Sequence, residues 1–176
     1  MFGKHFQLNE QTLPVVEEIG RHMPGGFFIY RANDDEKLLY ANKATCNIYG
    51  CKTLDDFKAF SGFAFKGLVH PEEYESISST VKSQVADNGS DLERMEYRII
   101  RRDGETRWVE NHTHVVESNT FDDLCCVFIT DITDEHKQAE SAKALRSAVI
   151  EALTRVYDSV WFIDDVESQH FELYRI

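Results

Sequence analysis

The sequence lacks any segment long and apolar enough to cross a membrane. Its longest uninterrupted apolar run, Leu124 to Ile129, is far shorter than the roughly 20 residues that a spanning helix needs. The opening residues MFGKHFQLNEQ also lack the apolar stretch of a signal peptide. We therefore expect a soluble, cytoplasmic chain with no direct membrane contact, which leaves open a membrane tether elsewhere in a longer parent protein.

Cysteine and positive charge are both scarce. The four cysteines, at positions 46, 51, 125 and 126, form no CxxC pair and no zinc-ligand spacing. We interpret them as small buried side chains in a reducing compartment. The 31 acidic residues outnumber the 19 basic ones, for a net charge of −12. Phosphates repel a protein of this charge, which argues against a nucleic-acid binder.

Catalytic signatures are missing as well, because the sequence has no GxSxG, no phosphate-binding glycine loop and no HExxH. Glu72 and Glu73 are neighbours in sequence only, since adjacent helical residues point about 100° apart. We interpret them as favourable charges at a helix start. His112 and His114 share one face of a predicted strand, but no third metal ligand has recognisable spacing. We predict no catalytic residues and no metal site.

The sequence does contain the pattern of one α+β domain. Its 42% hydrophobic and 28% charged residues are typical of a soluble globular protein. Asp103-Gly104, between two runs rich in branched and aromatic residues, is a strong hairpin signal. In chain order we predict a helix over 14–23, a strand hairpin over 27–42, short helices over 43–60, a longer helix from His70, strands over 94–101, 105–117 and 124–130, and a helical exit segment from Ile132.

The exit segment carries an apolar seam with alternating spacings of three and four residues, which is typical of a heptad. It covers about two heptads, fewer than a firm coiled-coil assignment requires. We interpret it as a homodimer seam. Its residues are Ala142, Leu145, Val149, Ala152 and Val156.

The residue pattern of the C-terminal tail, over 160–176, repeats that of an earlier segment over 27–42. Phe28-Ile29 and Phe162-Ile163 are each followed by an acidic turn and an apolar strand, and such self-similarity indicates a second copy. A lone hairpin is marginal in water, so we interpret the tail as part of a domain that the sequence does not finish. The predicted organisation is a lead-in helix over 1–24, a domain over 25–134, an exit or signalling helix over 135–156, and an incomplete second domain over 157–176.

Four segments carry a family resemblance: YANKA at 40–44, HPEEY at 70–74, YRIIRRDGETRWVE at 97–110 and FITDIT at 128–133. Together they resemble a PAS sensor domain of the PAS/PAC type over about 25–134. The resemblance implies a five-stranded antiparallel sheet with helices over one face, flanked by N-terminal and C-terminal helices. The residues that we assign to its structural motif are Asn42, Asp103, Gly104, Trp108, Asp131 and Thr133.

The resemblance implies a sensory or regulatory module of a bacterial-type signal-transduction protein. Such a module binds a small ligand or a partner. It passes the signal through its C-terminal helix to an output domain in the same polypeptide, either a diguanylate cyclase or a histidine kinase. The side chains that we predict to line a pocket are Phe28, Tyr30, Tyr49, Phe57, Phe65, Tyr97 and Trp108.

The family's best-known cofactors do not match this sequence. Flavin photosensors need a cysteine in an NCRFLQ context, whereas Cys46 lies in ATCNIY. Haem sensors place a histidine within the long helix, whereas His70 precedes Pro71 at its start. Flavin and haem are therefore not expected, and the ligand stays unknown.

A second reading is a small stand-alone enzyme of the isomerase or dehydratase type on a cupped α+β fold. Such an enzyme would use a His, Asp or Tyr in the pocket. It would have no need of the exit helix or of the unfinished second copy, which is why we favour the sensor. A titratable group against an open cavity is the observation that bears on the enzyme.

Overall fold

The computed structural model describes residues 13–86, 94–116 and 123–155, together with the backbone of two strands at 159–165 and 170–175. The chain divides into two compact units, Met1–Thr133 and Asp134–Ile176. None of the helices in these ranges combines the length and the apolarity that a bilayer crossing requires.

The first unit is built on a five-stranded antiparallel sheet, which confirms the predicted α+β class. In space the strands run in the order β2-β1-β5-β4-β3, so β5 lies at the centre and β2 and β3 form the edges. Alternating burial along β3 and β4 shows why the sequence pattern predicted half-buried strands. The strands are β1 at Gly26–Arg31, β2 at Leu38–Ala41, β3 at Met95–Ile100, β4 at Thr106–Val116 and β5 at Leu124–Asp131.

Short helices connect β2 to β3. Helix α3, at Leu54–Ser61, begins after Thr53, whose hydroxyl accepts a hydrogen bond from Asp56 N at 3.1 Å. It is followed by Gly62, which caps it with a left-handed φ of 62°. The helices of the first unit are α1 at Leu13–His22, α2 at Lys43–Ile48, α3 at Leu54–Ser61, a 3-10 turn at Phe65–Gly67 and α4 at Tyr74–Ala86.

Helix α4 begins at Tyr74 and not at Pro71 as the sequence pattern suggests. Residues 71–73 form a turn instead, and both Glu73 N and Tyr74 N donate to His70 O. Glu72 and Glu73 directly precede the first turn of α4, and both carboxylates bind the Arg98 side chain on β3. Arg98 N donates to Glu73 Oε2 at 2.7 Å, and His70 N donates to Arg98 O at 2.8 Å. These bonds fasten the start of α4 to the sheet edge.

The two faces of the sheet are covered differently. Helices α2, α3 and α4 pack on the inner face, where they bury the main apolar core. Helix α1 packs on the outer face through Val16, which is buried with Phe27, Ile29, Tyr40 and Leu124. The predicted arrangement of helices over one face, with a separate N-terminal helix, is therefore observed.

The second unit contains a long helix, whose first residue belongs to the first unit, and a strand pair. Helix α5, at Thr133–Thr154, follows β5 after one intervening residue. Strands β6, at Ser159–Asp165, and β7, at His170–Arg175, pair antiparallel. The predicted end of the exit helix at Val156 lies outside the described residues.

Candidate functional site

Aromatic side chains fill the space between the sheet and its inner helices. The ring of Tyr30 stacks on that of Phe65 with centroids 4.7 Å apart and planes 5° apart. Tyr49 packs against Phe57 at 5.5 Å, and its hydroxyl donates to Leu68 O at 3.0 Å. These buried rings give the inner face a rigid apolar floor.

A cleft of about 160 Å³ borders this floor, between β1, the turn that follows it and α4. Its volume is close to that of an engineered cavity of about 150 Å³ that binds benzene. The cleft therefore has room for a small organic molecule. Its lining residues are Tyr30, Ala32, Asn33, Glu36, Val81, Lys82 and Val85.

Glu36 places a carboxylate in the wall of the cleft, although the residue is only 4% exposed. Its two oxygens accept hydrogen bonds from different hydroxyls of α4. Tyr74 donates to Oε2 at 2.9 Å and Ser78 donates to Oε1 at 2.6 Å. A buried carboxylate is costly unless it is hydrogen-bonded, so these two donors keep Glu36 in place.

The backbone at Glu36 is also constrained. Its φ is 46°, in the left-handed region that glutamate rarely adopts. Glu36 N donates to Asn33 O at 3.1 Å, and Phe65 N donates to Glu36 O at 2.9 Å. Strain of this kind costs about 1–3 kcal/mol and persists only where the surroundings enforce it. The fold therefore holds the Glu36 carboxylate against the cleft at a conformational cost.

Lys82 forms an exposed part of the cleft wall. Its Nζ lies 3.9 Å from Glu36 Oε1 and 3.6 Å from Asp34 Oδ1, and its side chain is 53% exposed. Ion pairs with such exposed partners contribute little stability. Lys82 is thus a loosely held positive charge beside the buried carboxylate.

Six of the seven predicted pocket residues come together in the inner core, and Tyr30 among them lines the cleft. The exception is Trp108. The next residue of β4, Val109, is buried in the inner core, and neighbouring side chains of a strand point to opposite faces. Trp108 therefore lies on the outer face, half-buried, and its assignment to the pocket is wrong. The six are Phe28, Tyr30, Tyr49, Phe57, Phe65 and Tyr97.

Asn42 connects three elements through its side-chain amide. Its Nδ2 donates to Gly20 O at 2.9 Å, just before the end of α1, and to Gly25 O at 3.2 Å. Its Oδ1 accepts from Phe27 N on β1 at 3.0 Å. Asn42 is also the N-cap of α2. It is thus a structural residue of the fold.

The end of β5 is bound to β4 where α5 begins, through contacts among Arg107, Trp108, Asp131 and Thr133 that we call the Asp131 clasp. Arg107 Nη1 donates to Asp131 Oδ2 at 2.9 Å. Asp131 Oδ1 accepts from Thr133 N at 3.0 Å, so Asp131 caps the helix start. The Thr133 hydroxyl instead serves the backbone of Trp108, accepting from its N at 3.0 Å and donating to its O at 3.3 Å.

The ionisation of Asp131 reflects this clasp. Partial burial opposes its charge, but hydrogen bonds from Thr133 and pairing with Arg107 outweigh burial and hold the pKa of the carboxyl below its ordinary value. At the cleft, burial followed by the adjacent Cys125 thiol raises the pKa of Tyr30 well above its usual value. Burial also raises the pKa of Cys125 to about 12. Both groups beside the cleft are therefore neutral at physiological pH.

The remaining predicted sites are structural or exposed. Gly104 has a φ of 86°, as the predicted turn after Asp103 requires. His112 binds Glu110 at 2.7 Å on an exposed face. Within the described ranges no cluster of three or more His, Cys, Asp or Glu side chains could hold a metal ion. In the seam, Leu145 and Val149 are 67% and 42% exposed, Ala142 and Ala152 are both exposed, and Val156 falls outside the described residues.

Sequence reasoning missed Glu36, because the acidic run that ends with it is typical of a solvated turn. A signal was nevertheless present on α4. Tyr74 and Ser78 are one helical turn apart, on the same face as the core residues Val81 and Val85. Two hydroxyls on a core-facing stripe indicate a buried acceptor, although they do not identify it.

Comparison with known proteins gives a consistent result. A family model described as PAS fold matches residues 38–127, slightly more than half of the chain. A methyl sulfide methyltransferase-associated sensor from Methanosarcina acetivorans is 26% identical over 103 residues. The match covers 57% of this chain and 10% of that protein, so the chain spans about a tenth of the length of its relative.

Solved structures share the fold. A LOV protein from Rhodobacter sphaeroides superposes with a TM-score of 0.59 at 14% identity, covering 85% of this chain and 83% of that one. A PAS domain from a two-component sensor histidine kinase gives 0.53 at 14% identity, covering 69% and 97%. A PAS domain of an HTR-like protein from Haloarcula marismortui gives 0.50 at 22% identity, covering 70% and 100%. At these identities the likeness concerns the fold alone.

Proposed function

Because the chain belongs to the PAS fold family, we propose that it is the sensory module of a larger signal-transduction protein. It binds a small ligand in the cleft beside Glu36 and passes the change through α5 to an output domain in the same polypeptide. A diguanylate cyclase or a histidine kinase is the output that we favour. The module itself has no catalytic role. The sensor relative and the kinase-derived PAS neighbour support this reading.

The observation that carries the proposal is the continuity from the cleft to α5. Tyr30 lines the cleft and lies opposite Cys125 in the β1–β5 pairing. Strand β5 then runs to Asp131, which caps the first residue of α5. A ligand that moves Tyr30 therefore acts on the strand that leads into the helix.

The module works as a homodimer through the seam of α5. The exposure of Leu145 and Val149 supports this, since large apolar side chains on an exposed helix favour a partner. With 22 residues, α5 is about 33 Å long. That length is sufficient to carry a change over several turns.

The first domain covers 25–134, and its signalling helix covers 135–156. Residues 157–176 then begin a second domain of the same kind. A shared irregularity supports the duplication. The β1–β2 register shifts between Ile29 and Tyr30, and the β6–β7 register shifts between Ile163 and Asp165. Both shifts follow the matching Phe-Ile pairs.

The test combines native mass spectrometry with hydrogen exchange on the 176-residue chain. Native spectra identify any molecule that copurifies with the chain, and exchange in α5 is compared before and after that molecule is removed. We expect slower exchange in the first turns of α5 when the cleft is occupied. Ligand sensing would be contradicted if the native spectra showed no bound molecule and if adding fractions of a cell extract left the exchange rates of α5 unchanged.

A variant separates binding from transmission. Thr133→Val removes the hydroxyl that binds Trp108 and leaves the cleft untouched. We expect the ligand to bind as before while the change in α5 exchange is lost. Thr106→Val, at an exposed position of the same strand as Trp108, is the matched control. It should keep both the ligand binding and the change in α5 exchange.

A further inference from the structure

The Glu36 carboxylate retains acceptor capacity. A carboxylate offers about four lone-pair sites. Within the described part of the chain, Tyr74 and Ser78 each donate one hydrogen bond to it. Lys82 Nζ, at 3.9 Å, is beyond hydrogen-bond distance. About half of the sites are therefore available to a donor that enters the cleft.

The charge of Glu36 is also weakly balanced. Both of its hydrogen-bond donors are neutral hydroxyls. Lys82 is half exposed and lies closer to Asp34 than to Glu36. A buried carboxylate in this position is better stabilised by a cation that contacts it directly, because a charge-assisted hydrogen bond is stronger than a neutral one.

Most of the remaining lining of the cleft is apolar and consists of Ala32, Val81, Val85 and the Tyr30 ring. Asn33 and Lys82 are its other polar members. Apolar walls exclude water from a bound molecule and strengthen its charge interactions. The volume of about 160 Å³ suits a compact body of roughly the size of benzene. The net charge of −12 repels anions and draws cations toward the protein.

From this geometry we infer that the cleft recognises a small organic cation, a primary amine with a compact apolar body whose ammonium group binds Glu36. The apolar body packs between the two valines of α4 and the ring of Tyr30. The inference rests on the proposed function, since it names the chemical class of the ligand that the sensory module takes. It excludes carboxylates, which Glu36 would repel.

The test uses three probes of one shape and different charge: benzylamine, benzyl alcohol and benzoate. Affinities are measured by calorimetry on the 176-residue chain at low ionic strength and neutral pH. We expect benzylamine to bind about tenfold more tightly than benzyl alcohol and benzoate to bind most weakly. The wild-type series needs no variant, so it stands even where a substitution disturbs folding.

Three variants locate the effect. Glu36→Gln should abolish the preference for the amine and preserve the affinity for the alcohol. Glu75→Gln, an exposed position next to Tyr74 on α4, is the matched control and should keep the preference. Lys82→Met removes the competing cation from an exposed position and should tighten amine binding.

The outcomes separate the inference from the proposed function. If the alcohol binds as tightly as the amine, or benzoate binds best, cation recognition is overturned while ligand binding in the cleft stands. If Glu75→Gln lowers the preference as much as Glu36→Gln does, the effect is general surface charge and the inference fails. If no probe binds and native spectra show an unoccupied chain, both proposals fail.

Discussion

One atom of Asn42 binds Thr45 twice. Its Oδ1 accepts from the Thr45 backbone N and from the Thr45 hydroxyl, each at 2.9 Å. The same oxygen accepts from Phe27 N, while Nδ2 donates to two backbone carbonyls. An amide is the side chain that meets both demands here, because it carries an acceptor and two donors in one plane.

Asn42→Ala should therefore lower the free energy of unfolding by about 2–4 kcal/mol, because it removes a helix cap and leaves the buried Phe27 N unsatisfied. Asn42→Asp should also destabilise, since a carboxylate would face the carbonyls of Gly20 and Gly25. Urea unfolding measures both. Asn47→Ala, at an exposed position of the same helix, should stay within about 0.5 kcal/mol of the wild type. Equal midpoints for the two alanine variants would contradict the connecting role of Asn42.

The Asp131 clasp predicts an acid-sensitive part of the stability. Its folded pKa lies below the ordinary value of 3.8, so the native state takes up the proton less readily than the unfolded chain. The contribution is therefore complete above that ordinary value and is lost as the pH falls through the lowered folded pKa. Asp131→Asn should be less stable than the wild type at neutral pH, and the difference should shrink in acid.

Unfolding midpoints in urea from about pH 6 to about pH 3 measure this convergence. Asp35→Asn, at an exposed turn position, is the control. A difference between wild type and Asp131→Asn that stays constant over this range would show that the clasp does not depend on the charge of Asp131.

Substitutions at two glycines distinguish the destabilisation caused by backbone strain from that caused by steric overlap. Gly104 has a φ of 86° and open space where a Cβ would lie, so only strain opposes a side chain there. Gly104→Asn should cost less than Gly104→Val, because asparagine tolerates positive φ and a β-branched residue does not. At Gly67 a Cβ would overlap the carbonyl oxygen of Ser61. Gly67→Ala should therefore lower the melting temperature more than Gly104→Ala does.

The half-buried position of Trp108 lowers the expected cost of its removal. Trp108→Ala should reduce the free energy of unfolding by about 1–3 kcal/mol, whereas a fully buried aromatic costs roughly 3–5 kcal/mol. Tyr97, which is 0% exposed on the inner face, is the comparison. Tyr97→Ala should be the more damaging change in chemical denaturation. The reverse order would mean that the outer face carries more of the stability than its exposure indicates.

The dimer proposal predicts a strong effect of charge in the seam. Val149→Glu would place two carboxylates face to face in a symmetric dimer and should weaken association sharply. Ser147→Glu adds the same charge at an exposed position outside the seam and should change association little. Sedimentation over a concentration series measures both. A wild type that stays monomeric at high concentration would remove the dimer and the proposed route of the signal.

Local patterns were sufficient to predict most of the fold. Alternating side chains marked the strands, and Asp103-Gly104 marked a turn that does have positive φ. The start of α4 was missed because residues 71–73 form a turn, in which the carboxylate of Glu73 binds Arg98, 25 residues away in the chain. Long-range partners of this kind leave no mark on local sequence.

The candidate site was less accessible to sequence reasoning. The aromatic residues of the core were identified by type, but the face on which Trp108 lies depends on register, which a shift of one residue reverses. Glu36 meets Tyr74 and Ser78 across 38 and 42 residues of sequence. Its left-handed backbone is enforced by tertiary contacts, and glutamate gives no local sign of it.

The bonds that Arg98 makes with His70 and Glu73 also bear on how the folded chain meets its neighbours. Strand β3 is an edge strand, and unpaired edge groups can recruit a strand from another molecule. At Arg98 the backbone N–H and C=O are already bonded to Glu73 and His70. On the opposite edge, Leu38 N donates to Phe63 O at 2.9 Å. At Arg98 and Leu38 these backbone groups are therefore not free to pair with a strand from another molecule.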